Sequence, residues 1–104
     1  MAQFDVFVNP ILAARRAYPF VVAMQSDMAT DSSYQIVAPL APRASMPKVA
    51  GRLIPTVAVN GADHVVIVPR MTPIRSRELN HTVASISAAR ADLLAAIDYL
   101  FFGV

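Results

Sequence analysis

The chain has 104 residues, enough for one domain with a modest core but not for two. Hydrophobic residues make up 56% and charged residues 15%, which excludes a disordered polypeptide, and the formal net charge is only +2. Eight of the nine basic residues are arginines, scattered from Arg15-Arg16 to Arg90 rather than gathered into a stripe with interleaved aromatics, so direct nucleic-acid binding is not favoured. So little polar surface suits a chain that hides part of itself in an oligomer; the alternative is a compact monomer rich in Ala and Val. The apolar runs Phe20 to Met24 and Val65 to Val68 fall far short of the roughly 20 residues a bilayer demands, so no membrane span is expected. The opening MAQFDVFV lacks a basic segment before an apolar core and is not read as a signal peptide. With no cysteine there is neither a disulfide framework nor a zinc-finger pattern. A cytoplasmic location is the expectation.

Gln3 to Val8 alternates as a strand and ends at Asn9-Pro10, because proline cannot continue the ladder. Ile11 to Ala17 reads as a connecting loop or a short turn of helix, and Tyr18 to Gln25 as a second strand. Ser26 to Ser33 is a polar break of turn composition. Tyr34 to Leu40 is the next strand, ending near Pro39, and Ala41 to Lys48 is a loop or short helix. Arg52 to Val59 resumes the strand pattern. Asn60-Gly61, between two valine-rich runs, predicts a hairpin with a four-residue loop from Asn60 to Asp63. Ile74 to Asn80 is a short strand or the approach to a helix, for which Thr82 and Ser85 are candidate caps.

From Ile86 the chain ends as ISAARADLLAAIDYLFFGV. Ile86, Ala89, Leu93, Ile97, Leu100 and Phe101 recur at the three- and four-residue spacing of a helix with one apolar face. The helix is expected to reach about Phe101, roughly 25 Å at 1.5 Å per residue. Five or six strands followed by one helix make an antiparallel α+β arrangement, mainly β. An apolar ending is either packed into the core or kept for a partner.

Catalytic patterns are lacking. His64 and His81 have no metal-ligand spacing and read as solvated or capping residues. The carboxylates show no paired motif, the three glycines cannot build a phosphate loop, and the serines lie in no nucleophile elbow. Arg70, Thr72, Arg75 and Arg77 could together serve an endoribonuclease, or could be solvated charges at strand ends. Asp98, in the last helical turn where the dipole disfavours a negative charge, is either an ordinary exposed aspartate or one kept for a cation on a partner.

Several segments together resemble one family. QFDVF at Gln3 to Phe7, MQSD at Met24 to Asp27, VAPL at Val37 to Leu40, LIPTVAVNG at Leu53 to Gly61 and the ending IDYLFFGV resemble the CcdB toxins of bacterial toxin–antitoxin modules, in order and over nearly the whole length. The resemblance implies an SH3-like antiparallel β-barrel with a carboxyl-terminal helix, a homodimer, no cofactor or metal, and a binding protein rather than an enzyme. It implies that Phe102, Gly103 and Val104, with Phe101 and Asp98, meet the DNA gyrase A subunit and trap the enzyme on cleaved DNA. The family tryptophan is Phe102 here, a family asparagine is Asp98, and Val104 replaces an isoleucine. Met28 stands where the family has an isoleucine used in partner contacts, and with Phe101 it is the implied contact for an antitoxin whose disordered tail folds onto the toxin. Two other readings stay open: an endoribonuclease toxin of the MazF-like class, and a toxin-fold protein that binds an antitoxin but has lost its target.

Overall fold

The structure is a computed structural model that describes residues 2–27, 33–46 and 51–103. Its strands are β1 (Asp5–Val8), β2 (Phe20–Ala23), β3 (Tyr34–Pro42), β4 (Thr56–Val59), β5 (Ala62–Val66), β6 (Thr72–Arg75) and β7 (Thr82–Ser85), followed by helix α1 (Arg90–Phe102). Every pairing is antiparallel, in the order β4-β5-β3-β2-β1-β7, with β6 also laid against β3. The sheet curls into a half barrel whose concave side is filled by α1, the mainly-β, α+β barrel class expected from the sequence. No helix among the described residues is long and apolar enough to cross a membrane.

β3 organises the sheet. One of its edges takes β2, along Val37 to Leu40; the other takes β6 along Tyr34 to Val37 and then β5 along Leu40 to Pro42. The strand therefore runs through Pro39 rather than ending there. Pro39 has no N–H to donate. Its carbonyl accepts a bond from the Ile67 N–H at 2.9 Å, so the missing donor falls on that same edge, at the handover from β6 to β5, where no ladder bond is due.

The hairpin turn is tighter than expected. Asn60 and Gly61 have φ of 51° and 84°, and Val59 already pairs with Ala62. Two consecutive residues with positive φ close a two-residue turn whose twist matches that of the flanking strands, so Ala62 and Asp63 belong to β5 and not to the loop.

β7 was not expected as a strand. Thr82 to Ser85 pairs with β1, with a register irregularity between Val6 and Phe7. Thr82 thus lies in the sheet rather than capping a helix. Ser85 does accept a bond from the Ser87 N–H (3.3 Å), but at the 3₁₀ turn Ser87–Ala89 that leads into α1. Helix α1 itself begins at Arg90 without a side-chain cap, and its 13 residues span roughly 20 Å at 1.5 Å per residue.

Both faces of the central strands are covered, which accounts for their nearly continuous apolar runs. Val6, Val22, Leu40, Val59 and Val66 face α1 and pack with its Leu93 and Ala96. Phe7, Val21 and Val37 point the other way and are covered by Ile74 of β6 and by Leu79. Phe4 is held at φ 69°, a left-handed conformation that costs an L-residue about 1–2 kcal/mol. Its buried ring packs in the core, its N–H donates to Ala23 at 2.7 Å, and its carbonyl accepts from Ile86 at 3.0 Å. Those two bonds tie the entrance of β1 to β2 and to the start of the helical segment.

Asn9 shapes the loop between β1 and β2. Only 3% exposed, it donates from Nδ2 to the Tyr18 carbonyl and accepts at Oδ1 from the Ile11 N–H, both at 2.9 Å. Asn9→Leu leaves both backbone groups without their partner and is expected to lower stability by about 1–3 kcal/mol in urea unfolding. A change below a few tenths would show that water replaces these bonds.

Candidate functional site

The site is built on α1. Asp92 in its first turn suits the positive end of the helix dipole. Leu93 and Ala96 are fully buried against the sheet, and Leu94 and Ile97 are partly buried beside them. Beyond Ile97 the helix outruns the surface it packs on. Tyr99 is 39% exposed, Leu100 36%, Phe101 64% and Phe102 74%. The three- and four-residue spacing had grouped Leu100 and Phe101 with the buried stripe. The structure separates them, because a helical period carries no information about how far the supporting sheet extends.

With 3.6 residues per turn, Phe102 points away from the face that buries Leu93, and Asp98, one turn earlier, shares that outward face. Asp98 is exposed and has no ion-pair partner among the described residues. Gly103 then ends the helix. Its φ is 74°, and its N–H donates to the Tyr99 carbonyl at 3.0 Å, the left-handed closure that glycine adopts without penalty. A Cβ at this position would meet nothing within 4 Å, so the demand for glycine comes from the backbone and not from lack of room.

Two clasps fix the helix. The Arg52 guanidinium lies 5.0 Å from the centroid of the Tyr99 ring, a cation–π contact across a cleft of about 440 Å³. At the other end, Arg90 Nη1 donates to Gln3 Oε1 at 2.9 Å, while Gln3 Nε2 donates to the Met24 carbonyl at 3.1 Å. The Gln3 N–H in turn donates to Asp27 Oδ1 at 2.6 Å. The start of α1, the amino terminus and the segment Met24 to Asp27 are thereby locked together. Gln3, Arg52 and Arg90 carried no signal as site residues in the sequence, since their partners lie far away along the chain.

Among the expected site residues, Asp98, Phe101, Phe102 and Gly103 are gathered on the last turn and cap of α1. Met28 and Val104 lie outside the described residues. Arg75 and Arg77 line a common cleft with Ser33, Tyr34 and Ser76; Arg70 and Thr72 are exposed and are not brought into it. His64 is not solvated. It is 7% exposed, with Nδ1 3.0 Å from the Ala62 carbonyl oxygen and its ring edge-on to Phe20 at 5.4 Å. His81 is exposed beside Arg15, Arg77 and Glu78.

A family model described as CcdB protein matches residues 3–103, which takes in every strand, α1 and the exposed tip. The chain belongs to the CcdB family. No curated protein matches it. Membership in the CcdB family implies a toxin of a toxin–antitoxin module, with an antitoxin as partner. The exposed aromatic turn therefore belongs to a toxin with an antitoxin as partner. Tyr99, Leu100, Phe101 and Phe102 are each exposed around this helix end, which makes it an apolar tip available to a partner.

Proposed function

We propose that this CcdB-family toxin binds the A subunit of DNA gyrase through the end of α1 and traps the cleaved-DNA complex, as a homodimer in the cytoplasm and without catalysis of its own. The observation that carries the reading is the last turn of α1, where Phe101 and Phe102 are 64% and 74% exposed just before a left-handed glycine. Rigid aromatic anchors at a fixed helix end are what a few-residue hot spot needs. An antitoxin that covers Phe101 competes for the same turn, which couples neutralisation to release of the target.

Phe102 stands where the family carries tryptophan, which the resemblance implies stacks on arginines of gyrase, and the expected penalty for phenylalanine there is about 1 kcal/mol. Asp98, one turn away on the same outward face, supplies a carboxylate to the same cations and offsets part of that loss. Purified protein incubated with gyrase and supercoiled DNA should accumulate cleaved complexes, and Phe102→Trp should lower the required concentration several-fold. Absence of cleaved DNA with both proteins would sink the gyrase reading, and site-specific RNA cleavage by the same preparation would put an endoribonuclease in its place.

A further inference from the structure

The last turn of α1 has to hold its shape without a core beneath it. Ile97 is the last side chain of the helix in the core cluster; Tyr99, Leu100, Phe101 and Phe102 lie beyond it and are all exposed. The last four carbonyls of a helix have no intrahelical donor, and an unsupported terminal turn opens easily. The Gly103 N–H satisfies one of them, at Tyr99. Whatever orders this turn further has to come from outside the helix.

Arg52 supplies such a contact. Asp92, Ala95 and Tyr99, spaced by three and four, line one flank of α1, across a cleft of about 440 Å³ from Arg52 and Thr56. The backbone beside Arg52 is fixed by a turn in which the Ile54 N–H donates to the Gly51 carbonyl at 3.2 Å, and Ile54 packs against Ala41, Val65 and Ile67. From that base the guanidinium reaches the Tyr99 ring, 5.0 Å from its centroid. Asp92 lines the same cleft, yet Arg52 forms no ion pair with it. The contact falls three residues before Phe102, in the turn that Gly103 closes. Among the described residues it is the one ring or polar contact made by a side chain of that turn.

We propose that Arg52 is a positioning residue for the exposed tip: its guanidinium, seated on Tyr99, orders the last turn of α1 before a partner arrives. A partner that needs Phe101 and Phe102 in one orientation then meets a turn already set, and less ordering entropy is lost on binding. The consequence for gyrase rests on the reading given above; the ordering itself does not. A cation–π contact at an exposed site shifts the balance between ordered and opened turn by about 2- to 5-fold, which bounds the effect.

Amide exchange of the full chain, followed by NMR, reads the ordering at Gly103, whose N–H is bonded to the Tyr99 carbonyl. Arg52→Ala and Tyr99→Leu should each speed exchange at Gly103 by about 2- to 5-fold. Leu79, whose N–H closes a 3₁₀ turn on the far side of the sheet, should be unchanged. Arg52→Lys should restore part of the protection, and the double variant should exchange no faster than either single one. In the gyrase cleavage assay both single variants should raise the required concentration by a similar factor, again without adding in the double variant. Arg16→Ala, which removes an exposed charge elsewhere, should alter neither reading. Unchanged exchange at Gly103 in Arg52→Ala, equal acceleration at Leu79 and Gly103, or additive effects in the double variant would each overturn the proposal. An intact chain that traps no cleaved DNA would sink the gyrase reading alone, because exchange at Gly103 still decides whether Arg52 orders the turn.

Discussion

Deletion of Gly103 and Val104 is expected to lower gyrase affinity by about 30-fold or more, the effect of losing a hot spot of about 2 kcal/mol, and with it growth arrest. The fold should survive. Gly103 is exposed, and its one hydrogen bond among the described residues is the helix-closing donation from its N–H to the Tyr99 carbonyl. Truncation leaves a carboxylate at the negative end of the helix dipole, a penalty of about 0.3–1 kcal/mol, or a few degrees in melting temperature. Gly103→Ala should fall between the two chains: the added Cβ has room, but a left-handed alanine costs about 1–2 kcal/mol and so re-aims the tip. Gyrase cleavage-complex titration beside a thermal melt reads both quantities. A truncated chain that poisons gyrase as well as the intact one would move the working surface away from the tip.

Leu93→Ala is expected to be the most damaging single change to stability, at about 3 kcal/mol, or about 15 °C in melting temperature. Leu93 is 0% exposed, and it is one of only two residues of α1 that are fully buried among those described. It packs with Leu40, Val66 and Val68, so the cavity opens at the centre of the half barrel where collapse would need the helix to shift. Truncation and Leu93→Ala therefore separate target binding from folding: the first loses gyrase with the melt nearly intact, the second loses both. A loss under 1 kcal/mol at Leu93 would mean that α1 docks on the sheet more weakly than its burial indicates.

The strands were legible where side chains on one strand decide the matter alone. Branched and aromatic runs at Phe4 to Val8, Phe20 to Ala23 and Tyr34 to Leu40 mark strands by local preference, and Asn60-Gly61 marks the hairpin because few other pairs accept two positive φ values. β7 was missed because Thr82 to Ser85 has polar ends and half-exposed middle residues; its pairing rests on β1, some eighty positions earlier, and no local pattern reports that. Pro39 misled in the opposite direction. It usually stops a strand, and here it survives because two partner strands change over beside it.

The candidate site divides in the same way. By itself the sequence determined that the last segment is a helix followed by a glycine, with an aromatic pair in its final turn and no recognisable catalytic motif beside them, since these depend on residue identity and spacing. Only the tertiary structure decided that Phe101 and Phe102 stand in solvent rather than in the core, because that depends on where the sheet beneath α1 stops. It likewise decided that Arg52 and Gln3 clasp the helix, that His64 is packed against Phe20, and that Arg75 and Arg77 line one cleft. Exposure and pairing are properties of surfaces that meet across the chain, and they come into being only when the sheet curls and the helix lies down on it.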